Sequence, residues 1–126
     1  MRIKLSTDIH TEIFLFLDKI LKKNKTSKVD DIKIALGEII QNIIRHEYNN
    51  SLTGEEWIEI NYELNNELII YIRDYAKPVK NDFLKKNFFS NESGHMGLNI
   101  IKKTSSSFKI KPITNGNLTE ITFDIK

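Results

Sequence analysis

The spacing of apolar residues changes several times along the chain. Residues 2 to 6 alternate Arg-Ile-Lys-Leu-Ser, the period-two pattern of a short strand. From Asp8 onward Ile9, Ile13, Phe16, Leu17, Ile20 and Leu21 recur at helical spacing, which predicts a first helix to about Lys23. The polar stretch Asn24 to Lys28 breaks that pattern. Ile32, Leu36, Ile39, Ile40, Ile43 and Ile44 then rebuild it as a second, longer helix ending near Tyr48.

Beyond Glu55 the period shortens. Trp57, Ile58, Ile60 and Tyr62 lead to Asn65-Asn66, and Leu68 to Ile72 follow, which reads as a hairpin turning on the two asparagines. Residues 74–93 are polar, with Pro78, Asn81, Asn87, Asn91 and Ser93, and are expected to form a long mobile connection. Gly94 to Gly97 lead into a third helix from Leu98, and Phe108 to Ile110 with Ile121 to Ile125 form a last hairpin around Asn115-Gly116. Two hairpin-like pairs with helices grouped between them predict an α+β two-layer sandwich, a largely antiparallel sheet with helices on one face.

Composition narrows the classes. At 126 residues and 14.7 kDa the chain is expected to be a single domain spanning 1–126, alone or as a small oligomer, a homodimer included. Nineteen basic against seventeen acidic residues leave a charge of +2, and 16 of the bases are Lys, which argues against direct nucleic-acid binding. The lack of cysteine excludes disulfides, thiolate metal sites and a thiol nucleophile. No apolar run approaches the roughly 18 residues of a membrane span, and no signal-peptide block opens the sequence, so a cytoplasmic protein without a membrane partner is expected.

Three groups of residues could carry chemistry. Glu38, Asn42 and His46 are spaced by four and so form one polar row on the second helix, at the edge of its apolar stripe. Such a row is either a solvated face or one wall of a half-buried site. Asp74 ends the strand Leu68 to Arg73, where a carboxylate can simply terminate the strand or accept a hydrogen bond from an exocyclic amine such as that of adenine. Ser93-Gly94-His95-Met96-Gly97-Leu98 places two glycines before a helix, either a flexible entry or a place where backbone N–H groups approach a phosphate.

In order and spacing, Glu38-x-x-x-Asn42-x-x-x-His46, Asp74 after a strand, and Gly94-x-x-Gly97-Leu98 resemble the three boxes of the GHKL (Bergerat) ATP-binding superfamily. Ala35-Leu-Gly-Glu38, His46-Glu-Tyr48 and the ending Thr119-Glu-Ile-Thr-Phe123 resemble, within it, the anti-sigma factor serine protein kinases. The resemblance implies ATP and Mg2+ as cofactors, Glu38 as general base and Asn42 as the metal ligand. It also implies Asp74 as the reader of adenine, Gly94 and Gly97 on the phosphate side, and Thr119 beside Asp74. His46, Ala76, His95, Met96 and Leu98 complete the implied nucleotide set, and residues 76–93 would be its lid. Four positions depart from the pattern: Ala76 and Pro78 stand where glycines are usual, Glu47 where small residues are common, and Leu118 where a glycine usually precedes the late threonine.

The expected activity is ATP- and Mg2+-dependent phosphorylation of a serine or threonine on a small antagonist (anti-anti-sigma) protein, in a partner switch that also engages a sigma factor. The alternative is a nucleotide-gated binding module that transfers nothing. A third reading is the detached ATP domain of a histidine kinase.

Overall fold

Strand β1 (Arg2–Lys4) leads into helices α1 (Ile9–Leu21) and α2 (Val29–Asn42), a π-helical turn (Ile43–Glu47), and the hairpins β2 (Trp57–Leu64) with β3 (Glu67–Asp74) and β4 (Ser105–Ile113) with β5 (Gly116–Asp124). This computed structural model describes residues 1–5, 9–22, 28–48, 51–80 and 101–125. Residues 101–104 are helical, the described part of the third helix that the sequence predicts.

The strands form one sheet in the order β1-β2-β3-β5-β4, and every neighbouring pair is antiparallel. The two hairpins therefore lie side by side, joined by pairing of β3 with β5, and β1 closes the edge beside β2. Period-two alternation puts Ile58 and Ile60 of β2, Leu68, Ile70 and Ile72 of β3, and Ile121 and Phe123 of β5 on one buried face. Against it pack Ile9, Ile13, Leu17 and Leu21 of α1 and Ile32, Leu36, Ile39 and Ile40 of α2, the stripes that the 3.6-residue period picks out. Each fully buried Leu or Ile stabilises the fold by about 1.5–3 kcal/mol relative to exposure.

Three boundaries differ from expectation. The second helix is regular only to Asn42; from Ile43 it widens, and the Tyr48 amide donates to the Ile43 carbonyl five residues back, at 3.2 Å. Strand β1 ends at Lys4, earlier than the alternation suggests. Strand β4 begins at Ser105, because Ser105 to Ser107 pair with β5 at the sheet edge, where no apolar alternation is needed.

Candidate functional site

The core-facing rungs shared by β3 and β5 change character along their length. Leu68 pairs with Phe123 and Ile70 with Ile121, then Ile72 with Thr119 and Asp74 with Asn117. The same buried face thus passes from apolar to polar as β3 ends. Asp74, Asn117 and Thr119 are all 0% exposed, so their polar atoms must find partners or cost free energy. Asp74 Oδ1 has two, accepting from the Ala76 amide at 3.0 Å and from Asn117 Nδ2 at 3.1 Å. Asp74 Oδ2 and Thr119 Oγ1 are buried and have none among the described residues.

Asn117 organises the segment that follows Asp74. Its second N–H donates to the Lys77 carbonyl at 3.2 Å, and its Oδ1 accepts from the Val79 amide at 2.8 Å. Residues up to Val79 are therefore tied to β5, and the expected lid over 76–93 is anchored at its start; its part beyond residue 80 lies outside the described residues. Ala76 is buried and keeps a negative φ, and the Asp74–Ala76 hydrogen bond is an Asx turn that alanine closes without strain. Gly116 is required for a different reason: a Cβ there would collide with the Asp74 carbonyl and the Arg73 guanidinium. The preceding residue, Asn115, takes φ 59°, so the turn joining β4 to β5 uses the residue type that best tolerates the left-handed region after glycine.

Glu47 completes the buried cluster, and reading the sequence for site residues did not find it. Five residues on from Asn42 in a regular helix, it would point roughly 140° away from that residue's face. The π-helical turn changes that direction, and Glu47 is 7% exposed with both carboxyl oxygens buried. Burial, with the Asp74 carboxylate beside it, pushes the Glu47 carboxyl up to about 10, so it holds a proton at neutral pH. The Asn117 side chain beside it favours the ionised form, but less than burial and Asp74 oppose it, and among the described residues neither Glu47 oxygen has a partner at hydrogen-bond geometry. A proton on Glu47 turns the two carboxyl groups into donor and acceptor. The next residue, Tyr48, accepts from the Tyr75 amide at 3.1 Å and so ties this turn to the end of β3; burial raises its hydroxyl to about 12.

The remaining expected residues divide into two groups. Glu38, half-buried, and Asn42, 8% exposed, lie on α2, the helix that runs into the Glu47 turn. His46 lies in that turn with its side chain outside the description, and Gly94, His95, Met96, Gly97 and Leu98 lie outside the described residues altogether. The structure therefore brings Asp74 and Thr119 together, adds Asn117 and Glu47, and sets Glu38 and Asn42 on the adjoining helix. Among the described residues no cluster of three or more His, Asp or Glu side chains could hold a metal, and no helix is long and apolar enough to cross a membrane.

Comparison with known proteins follows the same outline. No curated protein matches the chain. Among solved structures, the nucleotide-free catalytic domain of the histidine kinase ThkA aligns with a TM-score of 0.60 at 16% identity, covering 99% of this chain and 96% of that one. The histidine kinase AdeS of Acinetobacter baumannii aligns at 0.55 and 19% identity, over 100% and 68% of the two chains. The histidine kinase domain of a blue-light activated histidine kinase from Erythrobacter litoralis aligns at 0.59 and 9% identity, over 92% of this chain and 59% of its own, so this chain spans about three-fifths of that protein. These likenesses show the fold. The sequence profile of the histidine kinase-like ATPase domain matches residues 10–123, nearly the whole chain. The protein belongs to that family, within the GHKL superfamily of ATP-binding domains.

Proposed function

We propose that this domain binds ATP with Mg2+ and transfers phosphate to a serine or threonine of a small antagonist protein, as an anti-sigma regulatory factor in a partner switch. The observation that supports ATP recognition most is Asp74: a fully buried carboxylate at a strand end, with one oxygen bonded twice within the protein and the other facing only the Glu47 carboxyl, one rung from the buried Thr119 hydroxyl. A buried acceptor without a donor is costly unless a ligand supplies one, and the exocyclic amine of adenine is such a donor.

The residues on α2 suit phosphate chemistry. Bound MgATP would supply the phosphoryl group and a cation to neutralise its charge. Asn42 offers one amide oxygen to that cation. This fits the absence of a three-carboxylate or histidine cage among the described residues, since Mg2+ bound to nucleotide takes most of its ligands from phosphate and water. Glu38, five residues before the π-helical turn begins at Ile43, would accept the proton of an attacking hydroxyl. A serine or threonine needs such a base, whereas an imidazole near neutral pH is already a nucleophile, and this favours a hydroxyl acceptor over histidine. For a protein partner, the groove around β1 and α1 is bordered by the exposed apolar side chains Leu15 and Tyr62.

The second reading, a nucleotide-gated binding module without transfer, is favoured by the Glu47–Asp74 pair, which fills part of the base site with a protein group. Transfer of labelled phosphate from ATP to a co-purified partner separates the two. On the kinase reading, wild type labels the partner, and Glu38→Gln keeps its ATP affinity while transfer falls by about 10²–10⁴-fold. If wild type labels no partner that it binds, or Glu38→Gln matches it, the binding module is the function.

A further inference from the structure

The cluster at the end of β3 holds one acid more than base recognition requires. Asp74 Oδ1 is fully used by the Ala76 amide and the Asn117 side chain, so Oδ2 is the only oxygen through which Asp74 can accept a ligand hydrogen bond. That oxygen is closed to solvent, and the Glu47 carboxyl, buried through both its oxygens, lies beside Asp74. Glu47 reaches it only because the helix widens after Asn42, and the Tyr48–Tyr75 hydrogen bond pins the widened turn to the strand end. Both Glu47 oxygens are buried, and the polar side chains beside them among the described residues are those of Asp74 and Asn117.

We propose that Glu47 is an internal competitor of the nucleotide: its carboxyl occupies, on Asp74 Oδ2, the place that an adenine amine takes on binding, so the base enters only when Glu47 leaves. The proposal rests on the ATP-binding reading above and adds to it a residue that sets affinity and base preference. A carboxylic acid O–H and an amine N–H make the same demand on Oδ2, one donor directed at one acceptor. The widened turn also provides the way out. Closing it to regular α-helical geometry swings the side chain at position 47 away from the face of Asn42, and π-helical turns at functional sites are suited to such a change. Glu47 thus keeps Asp74 from being a buried carboxylate with an unanswered oxygen while the site is empty, and this protection weakens the nucleotide by the free energy of the contact that it must break.

The test is calorimetric affinity for ATP and for inosine triphosphate, whose base carries a carbonyl in place of the exocyclic amine. Wild type, Glu47→Ala, Glu47→Gln and the double variant Glu47→Ala with Asp74→Asn are compared. Glu47→Ala should bind ATP about tenfold more tightly than wild type, the worth of one displaced hydrogen bond, and the inosine nucleotide should gain little. Glu47→Gln keeps a donor for Oδ2 and should stay near wild type, and the double variant should lose the gain. Should Glu47→Ala fail to fold, Glu47→Met, which fills the buried volume and suits a helix but offers Oδ2 no donor, tests the same displacement. Equal or weaker ATP binding by Glu47→Ala, or an equal gain for both nucleotides, overturns the competitor role while Asp74→Asn alone still reports on the adenine contact. If no variant binds ATP, the nucleotide reading falls, and the competitor with it.

Discussion

Asn117 donates to Asp74 across the rung that pairs them between β5 and β3, at 3.1 Å, and together with the Ala76 amide it occupies Oδ1, so that only Oδ2 is left for a further partner. The pair is separated by 43 residues in sequence and by a single hydrogen bond in space. It joins the strand that carries the carboxylate, the strand that carries Thr119, and the segment up to Val79 that follows Asp74.

Asn117→Ala should therefore act in two places. Two donated bonds and one accepted bond are lost, leaving Asp74 Oδ1, the Lys77 carbonyl and the Val79 amide short of a partner, and denaturant unfolding should show a loss of about 1–3 kcal/mol. Amide exchange at Val79 should rise beyond what the global loss explains, because its hydrogen-bond acceptor is gone. Unchanged exchange at Val79 would show that Asn117 does not anchor the segment.

Gly116→Ala tests the close approach of β5 to β3. With the Asp74 carbonyl and Arg73 in the way of a Cβ, the strand must shift, and a loss of roughly 1–3 kcal/mol or more is expected. A melting temperature within about 1 °C of wild type would mean that the turn accommodates a methyl group freely.

The burial of Glu47 makes stability depend on pH. Its folded carboxyl titrates near 10 against an ordinary 4.5, so between those values the folded state holds a proton that the unfolded state has released. The contribution is fully present below about pH 4.5 and is lost as pH rises toward 10, because unfolding then releases a proton. Glu47→Gln removes the titration and keeps the shape. Stability curves of the two proteins should diverge steadily from pH 5 to pH 9 in favour of the variant; parallel curves would contradict a protonated Glu47.

Much of this arrangement could be read before the structure. The hairpin of β2 and β3 follows from the alternation of Ile58 and Ile60 with polar residues and from the Asn65-Asn66 turn; the helices follow from their apolar period. Asp74 was legible because a charged residue ends a strongly apolar strand, and Thr119 because of its resemblance to a family position. Glu47 was hidden because a helical wheel carries regular α geometry past Asn42, where the real backbone widens. Its one signal was its presence where small residues are common. Asn117 was hidden because its partner is supplied by non-local strand pairing. Two residues before Thr119 and hence on the same face, it could have been found once Thr119 was placed beside Asp74.

The central claim is that Asp74 receives the base of a bound adenine nucleotide, and the most direct measurement is calorimetric binding of MgATP to wild type and to Asp74→Asn. The variant keeps the size of the side chain but replaces an acceptor carboxylate by an amide. The account predicts saturable binding by wild type and a loss of about 1–3 kcal/mol in the folded variant, roughly 5- to 150-fold in Kd. Equal affinity in a folded Asp74→Asn protein, or no binding by either wild type or Glu47→Ala, would contradict it.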